Sequence, residues 1–590
     1  MAGGVGSTEP PRSGGAGSAG AGAGISVDPV TFEVIRNALV AATDEMALAL
    51  KRSAYSTNIK TRSDFSCAFF DADLRAVAQG FAQPVHLGSM VEQVPKAVLE
   101  YGPEKLAPGD MLVTNDPHPS GVHLNDVSLI SPVHCEGELL GYVANLAHHV
   151  DVGGGAPASI GAFREVFQEG VIIPPVKLVT GGRIVDDVFR LILAQIRSTG
   201  ETAGDFRAQV AANATGTRRI QSLVGRHGLT TVRAAMAELL EYTERRTRAE
   251  LAALPHGVYE AEGSVDTDGF TDEPVLLRAR IEIGPDGVRF DTTGSDPQRR
   301  APVNSTFAQT FSACAYALKC LVDPDLPVND GFYRLLEVRA PEGTVTNCTW
   351  PAPVVGGWET QTRLVDVLFR ALLPAFPKRL PAGTKGMMCQ AGFGALDLEA
   401  GAYVCFYETF AGGYGGRFGS DGPDAVQTHG QNTENAPVEE TELNYPVRVE
   451  RLALVPDSEG PGRTRGGLGL RKDYRFDLST TFTILADRDR SGPWGVEGGH
   501  DAGRAEYVHV RDGVETRLLS KSTLDLEPGD VVSIRTCGGG GFGPPAEREP
   551  ERVLRDVLEG KVSAARGEEV YRVAVADGGV DHERTEALRA

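Results

Sequence analysis

Six of the twelve histidines, at positions 86, 118, 123, 134, 148 and 149, fall within one short stretch of the chain. The densest part runs from Thr114 to Asp126 as TNDPHPSGVHLND, and His148-His149-Val150-Asp151 follows it. Imidazole nitrogens and carboxylate oxygens are the usual donors for zinc, manganese or iron(II) at a site that keeps an open coordination position. A divalent metal is therefore the leading expectation. His123 and Asp126 stand three apart in a Gly- and Asn-rich turn, where two side chains can converge on one ion. His148 closes the run Tyr142-Val143-Ala144-Asn145-Leu146-Ala147, a strand end that brings a third donor alongside. Two histidines and one carboxylate make a facial set with room for water or substrate. In a strand, His149 and Asp151 face away from His148, so an orienting part is expected of them, and of His118. His86 and His134 stand alone and read as turn caps or fillers of polar pockets.

Other signals carry less. Asp64, in Ser63-Asp64-Phe65-Ser66 at a strand entrance, fits a further ligand, a base or a turn acceptor. Cys67 lies in an apolar strand-like run and reads as an inert buried thiol. The eight cysteines form no CxxC pair, which fits reduced, mostly buried thiols. Gly412-Gly413-Tyr414-Gly415-Gly416 lacks the lysine and hydroxyl of a phosphate loop and reads as a plain turn. No GxxxxGK[ST] stretch and no GxGxxG with a correctly spaced acid occurs, so a nucleotide site of either kind within this chain is not supported.

The elements that must position these groups follow from periodicity. Asp28-Pro29 opens a helix whose residues Phe32, Ile35, Leu39, Ala42 and Met46 form one apolar stripe. From Asp64 to Val152, short apolar runs at Cys67–Phe70, Met111–Val113 and Val127–Ile130 read as strands joined by turns. A second long helix is predicted from about Thr231 to Leu254, closed by Pro255-His256-Gly257. Residues 257–535 alternate β-like runs, such as 278–283 and 449–454, with Gly-rich turns and a helical stretch at 364–373. A Gly-rich loop at 538–543 leads to a terminal amphipathic helix through Val553, Leu554, Val557 and Leu558.

The predicted class is α+β (mixed α/β) and multi-domain. Residues 1–24 form a Gly/Ala tail too poor in apolar side chains to order, and residues 25–256 an N-terminal domain with a mixed sheet, long helices and the metal site. Residues 257–535 form a β-rich α+β domain, and 536–590 the Gly-rich loop and helical tail. A chain of 590 residues, 41% hydrophobic and 23% charged, can build sizeable cores, while 71 glycines and 36 prolines disfavour a long-helix bundle. The net charge of −21 repels phosphate polyanions and anionic membranes, so nucleic acid is a poor candidate partner. With no bilayer-length apolar run and no cleavable leader pattern, the expected address is cytoplasmic.

Taken in order, Asp28–Ile35, Ser63–Ala68, Pro84–Met90, Gly109–Asp126, Ala147–Gly154, Tyr407-Glu408-Thr409, Asn432–Glu439 and Gly538–Gly543 resemble the hydantoinase B/oxoprolinase family from about residue 27 to 572. The resemblance implies a B-type subunit that works with a hydantoinase A-type partner, which binds ATP and phosphorylates the substrate's amide or carbonyl oxygen. It also implies a divalent metal on His123, Asp126 and His148; for the proton transfer such a site needs, Asp64 or Asp116 is the expected carboxylate. The substrate would be a small cyclic amide such as a hydantoin or 5-oxoproline, and the assembly a hetero-oligomer. Two alternatives stay open: a subunit of an ATP-dependent ketone carboxylase, and a non-catalytic scaffold for the A-type subunit. Relative to the family pattern, Asp330-Gly331 and the indole in Gly356-Gly357-Trp358-Glu359-Thr360 are departures that bear on substrate size.

Overall fold

The computed structural model describes residues 27–80, 83–118, 121–399 and 401–590, so the tail at 1–24 lies outside the described residues. Helix α1 (Pro29–Ser53) starts where Asp28 accepts hydrogen bonds from the Val30 and Thr31 amides, and it buries Ile35, Leu39, Ala42, Met46 and Leu50. A single turn, α2 (Thr57–Lys60), follows. The first sheet comprises β1 (Phe65–Asp71), β2 (Ala76–Gln79), β3 (Met111–Thr114), β4 (Asp126–Cys135), β5 (Glu138–His148), β6 (Val176–Thr180) and β7 (Arg183–Ile184). Its order is β2-β1-β5-β4-β3-β6-β7. All its neighbouring strands run antiparallel.

Both faces of this sheet are covered, because apolar residues occur at odd and at even positions of β1 and β5. Cys67, Phe69, Val143 and Ala147 pack on α1 and on α5 (Thr199–His227) and α6 (Leu229–Ala253), with α4 (Asp186–Leu193) leading into that pair. Ala68, Phe70, Ala144 and Leu146 face the opposite way, toward α3 (Pro84–Tyr101). Helix α6 is the one predicted over 231–254. Helix α5 was not foreseen, since the middle of its buried stripe is built from Ala208, Gln209, Ala212, Asn213 and Gly216, with the large apolar side chains Phe206, Ile220, Leu223 and Val224 only on either side. Helix α3 lies in a stretch read as strands and turns.

The second sheet has the order β11-β10-β9-β8, from β8 (Gly257–Val265), β9 (Val275–Ile283), β10 (Val288–Asp291) and β11 (Leu336–Arg339). The mixed pairing expected of the first sheet occurs here, with β10 and β11 parallel. Helices α7 (Phe307–Lys319), α8 (Asp330–Tyr333) and α9 (Gly357–Leu372) accompany it. β12 (Gln390–Asp397) and β13 (Ala402–Thr409) join the strands Thr480–Leu485 and Lys521–Leu526 in a third, four-stranded sheet, and five other strands between 447 and 535 form a fourth. The largest hydrophobic cluster joins Ala68, Phe70 and Leu146 to Leu277, Ile281, Trp358 and Leu364, so the regions on either side of residue 256 share a core.

The Gly412–Gly416 run packs backbone against backbone. A Cβ at Gly413 would come within 2.2 Å of both the Gly467 carbonyl and the Gly539 amide, which leaves space for no anion. Among the described residues no helix is long and apolar enough to cross a membrane.

Candidate metal centre

Strand register creates the centre. Asp126, the first residue of β4, is the cross-strand partner of His148, the last of β5. On the other side of β5, Phe65 pairs with Ala147, and the His148 amide donates to the Asp64 carbonyl at 3.0 Å. Asp64, His148 and Asp126 therefore form one row across three strands, and directly opposed residues project to the same face. His123 reaches this row from the preceding turn, closed by the Asp126 amide donating to the His123 carbonyl at 3.1 Å.

That turn is pinned on both sides. Asn115 donates to the Leu124 and Val171 carbonyls at 2.8 and 3.0 Å and accepts from the Ile173 amide at 2.7 Å. Asn125 donates to the His149 and Ala158 carbonyls at 2.9 and 3.1 Å.

A nitrogen of His123, an oxygen of Asp126 and a nitrogen of His148 lie within 4.8 Å of one another, and all three residues are buried. His123 Nε2 is 3.0 Å from Asp126 Oδ2. The contact is not aligned as a hydrogen bond: both His123 ring nitrogens, Asp126 Oδ1 and His148 Nε2 are buried without a hydrogen-bond partner. Each such atom costs roughly 1–3 kcal/mol if left unsatisfied. Nitrogen and oxygen donors of this kind match zinc, manganese or iron(II), so the residues fit a divalent ion.

Electrostatics point the same way. Burial alone pushes the Asp126 carboxyl up, but the imidazoles of His123, His86 and His148 outweigh it and hold the carboxyl below its usual range. Burial, reinforced by His123, pushes His148 well below the ordinary imidazole value, leaving the neutral ring that a metal requires. Burial raises the Asp64 carboxyl, against the opposing fields of His86 and Arg62.

The sequence reading missed five contributors. His86, set aside as solitary, projects from the first turn of α3, with Nε2 3.7 Å from Asp126 Oδ1 and 3.9 Å from Asp64 Oδ1. Asn58 on α2 donates to Asp64 Oδ2 at 3.2 Å and to the His148 carbonyl at 2.9 Å, and lies 3.2 Å from His148 Nδ1. Trp358, at the start of α9, donates its indole N–H to Asp126 Oδ2 at 3.2 Å. Tyr407 on β13 stacks on His148 at 4.3 Å and 15°. Arg62, fully buried, donates to Asn58 Oδ1 (2.6 Å), the Tyr407 carbonyl (3.0 Å) and Thr409 Oγ1 (2.7 Å), tying the α2 turn to β13.

The approach of α9 explains two glycines. A Cβ at Gly356 would sit 1.7 Å from the Pro302 carbonyl oxygen, and one at Gly357 would sit 2.6 Å from that of Asn304. The indole noted as a departure from the family pattern thus stands against a candidate ligand.

Other predicted residues lie apart from the cluster. The His118 ring meets the Ala352 carbonyl at 3.0 Å. The His149 ring meets Gln209 Oε1 at 2.9 Å, on the face covered by α5, and only its backbone holds the Asn125 turn. Asp151 accepts from the Arg197 amide and guanidinium at 2.8 and 2.9 Å. Asp116 accepts from the His118 amide at 3.1 Å in a local turn, and its field bears on Glu100, near the end of α3 remote from His86. Burial pushes the Cys67 thiol far up, in keeping with an inert residue.

A second carboxylate cluster, Asp266, Asp487 and Asp489, is an ion-pair junction. Arg363 donates to Asp487 Oδ2 at 2.6 Å and Lys521 Nζ lies 3.6 Å from Asp487 Oδ1. Those cations already supply positive charge that a metal would otherwise bring to the carboxylates.

The profile of the family described as Hydantoinase B/oxoprolinase matches residues 28–545. The chain belongs to this family. It is 31% identical over 584 residues to the B-type subunit of a putative D-/L-hydantoinase of Pseudomonas sp. strain NS671, covering 95% of this chain and 98% of that one. It is 33% identical over 542 residues to 5-oxoprolinase 1 of Arabidopsis thaliana, covering 88% of this chain but 42% of that longer protein. The crystal structure of the ATP-dependent caprolactamase from Pseudomonas jessenii superposes with a TM-score of 0.89 at 30% identity, over 96% of this chain and 100% of that chain. This likeness extends the shared mixed α/β, multi-domain architecture to nearly the whole length.

Proposed function

We propose that this chain is the B-type subunit of an ATP-dependent cyclic amide hydrolase. It would receive a cyclic amide whose carbonyl oxygen has been phosphorylated by a separate A-type, ATP-binding partner, and open the ring at the His123–Asp126–His148 centre. One observation carries the reading: ligand-type atoms of three buried residues converge without hydrogen-bond partners. Zinc or manganese, or iron, suits that donor set. The oxoprolinase relative, of which this chain spans less than half, supports a partner of substantial size.

An amide resists water because attack breaks its resonance and nitrogen leaves poorly. Transfer of a phosphoryl group to oxygen removes the first obstacle. A divalent ion would supply Lewis-acid polarisation and lower the pKa of water. The chain supplies the rest: Trp358 fixes one oxygen of Asp126, Tyr407 and Asn58 fix the plane of His148, and the closed surroundings exclude bulk solvent. Asp64, beside His148 and kept from its usual acidity by burial, takes a proton from the attacking water and returns it to the nitrogen as the C–N bond breaks, leaving an acyl phosphate that a second water converts to carboxylate and phosphate. Asp116 is committed to its own turn, so the proton role falls to Asp64.

The test is coupled turnover. Purified chain and A-type partner, supplied with zinc or manganese, should consume ATP in step with ring opening of one member of a panel of hydantoins, 5-oxoproline and lactams. Replacing His123 with alanine should abolish ring opening while the subunits still assemble. ATP consumption with no loss of any cyclic amide, or loss of assembly with unchanged metal content, would overturn the reading.

A further inference from the structure

The helix that carries His86 has a second side. Helix α3 borders a cavity of about 550 Å³ that is also walled by α1, α6, α7 and the segment 324–333. At about 100° per residue, Pro84, Leu87 and Gly88 face this cavity while His86 faces the metal centre. Leu239, Ala315, Leu326, Phe332 and Tyr333, all buried, form the inner wall. Cavities of this volume with mainly apolar walls enclose a small organic molecule.

The polar groups of the wall are already committed. Ser312 donates to the Val85 carbonyl at 2.7 Å, and Tyr333 donates to Gln79 Oε1 at 3.1 Å. Gln79 in turn donates to the Leu87 carbonyl at 3.1 Å, and Asn329 donates to Thr243 Oγ1 at 3.0 Å. All three ammonium protons of Lys319 are spent on the carbonyls of Asp323, Pro324 and Leu326, at 2.8, 3.1 and 2.8 Å. The charged residues at the border are Arg36, Asp44, Lys319 and Asp325, two of each sign, and Arg36 is paired with Glu33 at 2.8 Å. An ionic guest would lose its hydration with no charge of opposite sign in surplus to replace it.

Cys320 marks the space as concave. It is the exposed member of the eight cysteines, it lines this cavity, and burial nonetheless pushes its thiol up to about 11. A thiol both reachable and desolvated sits in a recess.

We propose that this cavity is a binding site for a small, uncharged, largely apolar molecule, distinct from the metal centre and separated from it by the thickness of α3. The full-length chain titrated with the uncharged dye N-phenyl-1-naphthylamine should show saturable fluorescence enhancement at one site. The dye should slow N-ethylmaleimide labelling of Cys320, read by peptide mass. Ala315→Trp, which fills the cavity, and Val328→Asp, which charges its half-exposed rim, should each weaken dye binding at least tenfold. Protection of Cys320 in the unmodified chain keeps the test decisive if the tryptophan variant misfolds. Any one of four results overturns the proposal: unsaturable binding, unchanged labelling of Cys320, equally tight binding of the anionic dye 8-anilinonaphthalene-1-sulfonate, or a dimer in sedimentation whose formation shuts the dye out.

Discussion

Replacing Trp358 with phenylalanine should weaken metal binding about 10- to 100-fold. The indole N–H holds Asp126 Oδ2 at 3.2 Å and so leaves Oδ1 free of hydrogen bonds. Without that donor the carboxylate can turn toward His86, whose Nε2 lies 3.7 Å from Oδ1, and this alternative must be given up when an ion binds. Hydrogen bonds to charged groups contribute about 1.5–3 kcal/mol. At about 1.4 kcal/mol per factor of ten, the loss converts to roughly one to two orders of magnitude. Groups that hold metal ligands in place show losses of about the same size when mutated. The assay is zinc affinity by competition with a chromogenic chelator, run beside circular dichroism to confirm that the variant is folded. A folded W358F protein with unchanged affinity would refute the idea that the indole organises Asp126.

Further expectations follow from the same geometry. Asp64→Asn should retain metal but lose about 10²–10⁴-fold in kcat of the assembled enzyme; near-normal turnover would remove Asp64 from proton transfer. Gly356→Ala forces a Cβ against the Pro302 carbonyl oxygen, so it should cost about 1–3 kcal/mol in denaturant unfolding and also lower metal affinity through Trp358; an unperturbed Tm would contradict the close approach of α9. Burial depresses the imidazoles of His118, His148 and His149. Below about pH 6.5 the unfolded chain takes protons that the folded chain refuses, so metal-free protein should lose stability as pH falls, by up to about 1.4 kcal/mol per pH unit for each ring. Asp64, raised by burial, acts in the opposite sense as it becomes protonated. His149→Gln should flatten the fall in Tm between pH 7 and 5.5, and a slope identical to that of the unmodified chain would count against a buried neutral ring.

The local part of the centre was legible because turns and strands are short-range objects. The three-residue step from His123 to Asp126 and the strand ending at His148 are visible as donor types in turn-rich sequence, and β4–β5 register then brings two of them face to face. Asp64 was legible as a carboxylate at a strand entrance, although its place in the same row depends on a pairing between β1 and β5. His86 was hidden because α3 begins at a proline and contains Pro95, which masked the helical period. Trp358, Tyr407 and Arg62 carry no local signal: they matter through packing of later elements on the first sheet. Helix α5 escaped for a chemical reason, since Gln209 and Asn213 face inward to bond the Val127 and Leu129 carbonyls where large apolar side chains would have announced a core-facing stripe.

The dependence of the centre on Trp358 and Tyr407 sets a timetable for biosynthesis. Trp358 and Tyr407 emerge from the ribosome roughly 210 and 260 residues after His148, an interval of about ten seconds or more at ordinary elongation speeds of about 5–20 residues per second. Throughout that interval the early donors lack the ring that orders Asp126 and the phenol that flattens against His148. On the proposed reading, ion capture by the nascent polypeptide would therefore be weak, and commitment to one metal would be deferred until the distant segments have docked.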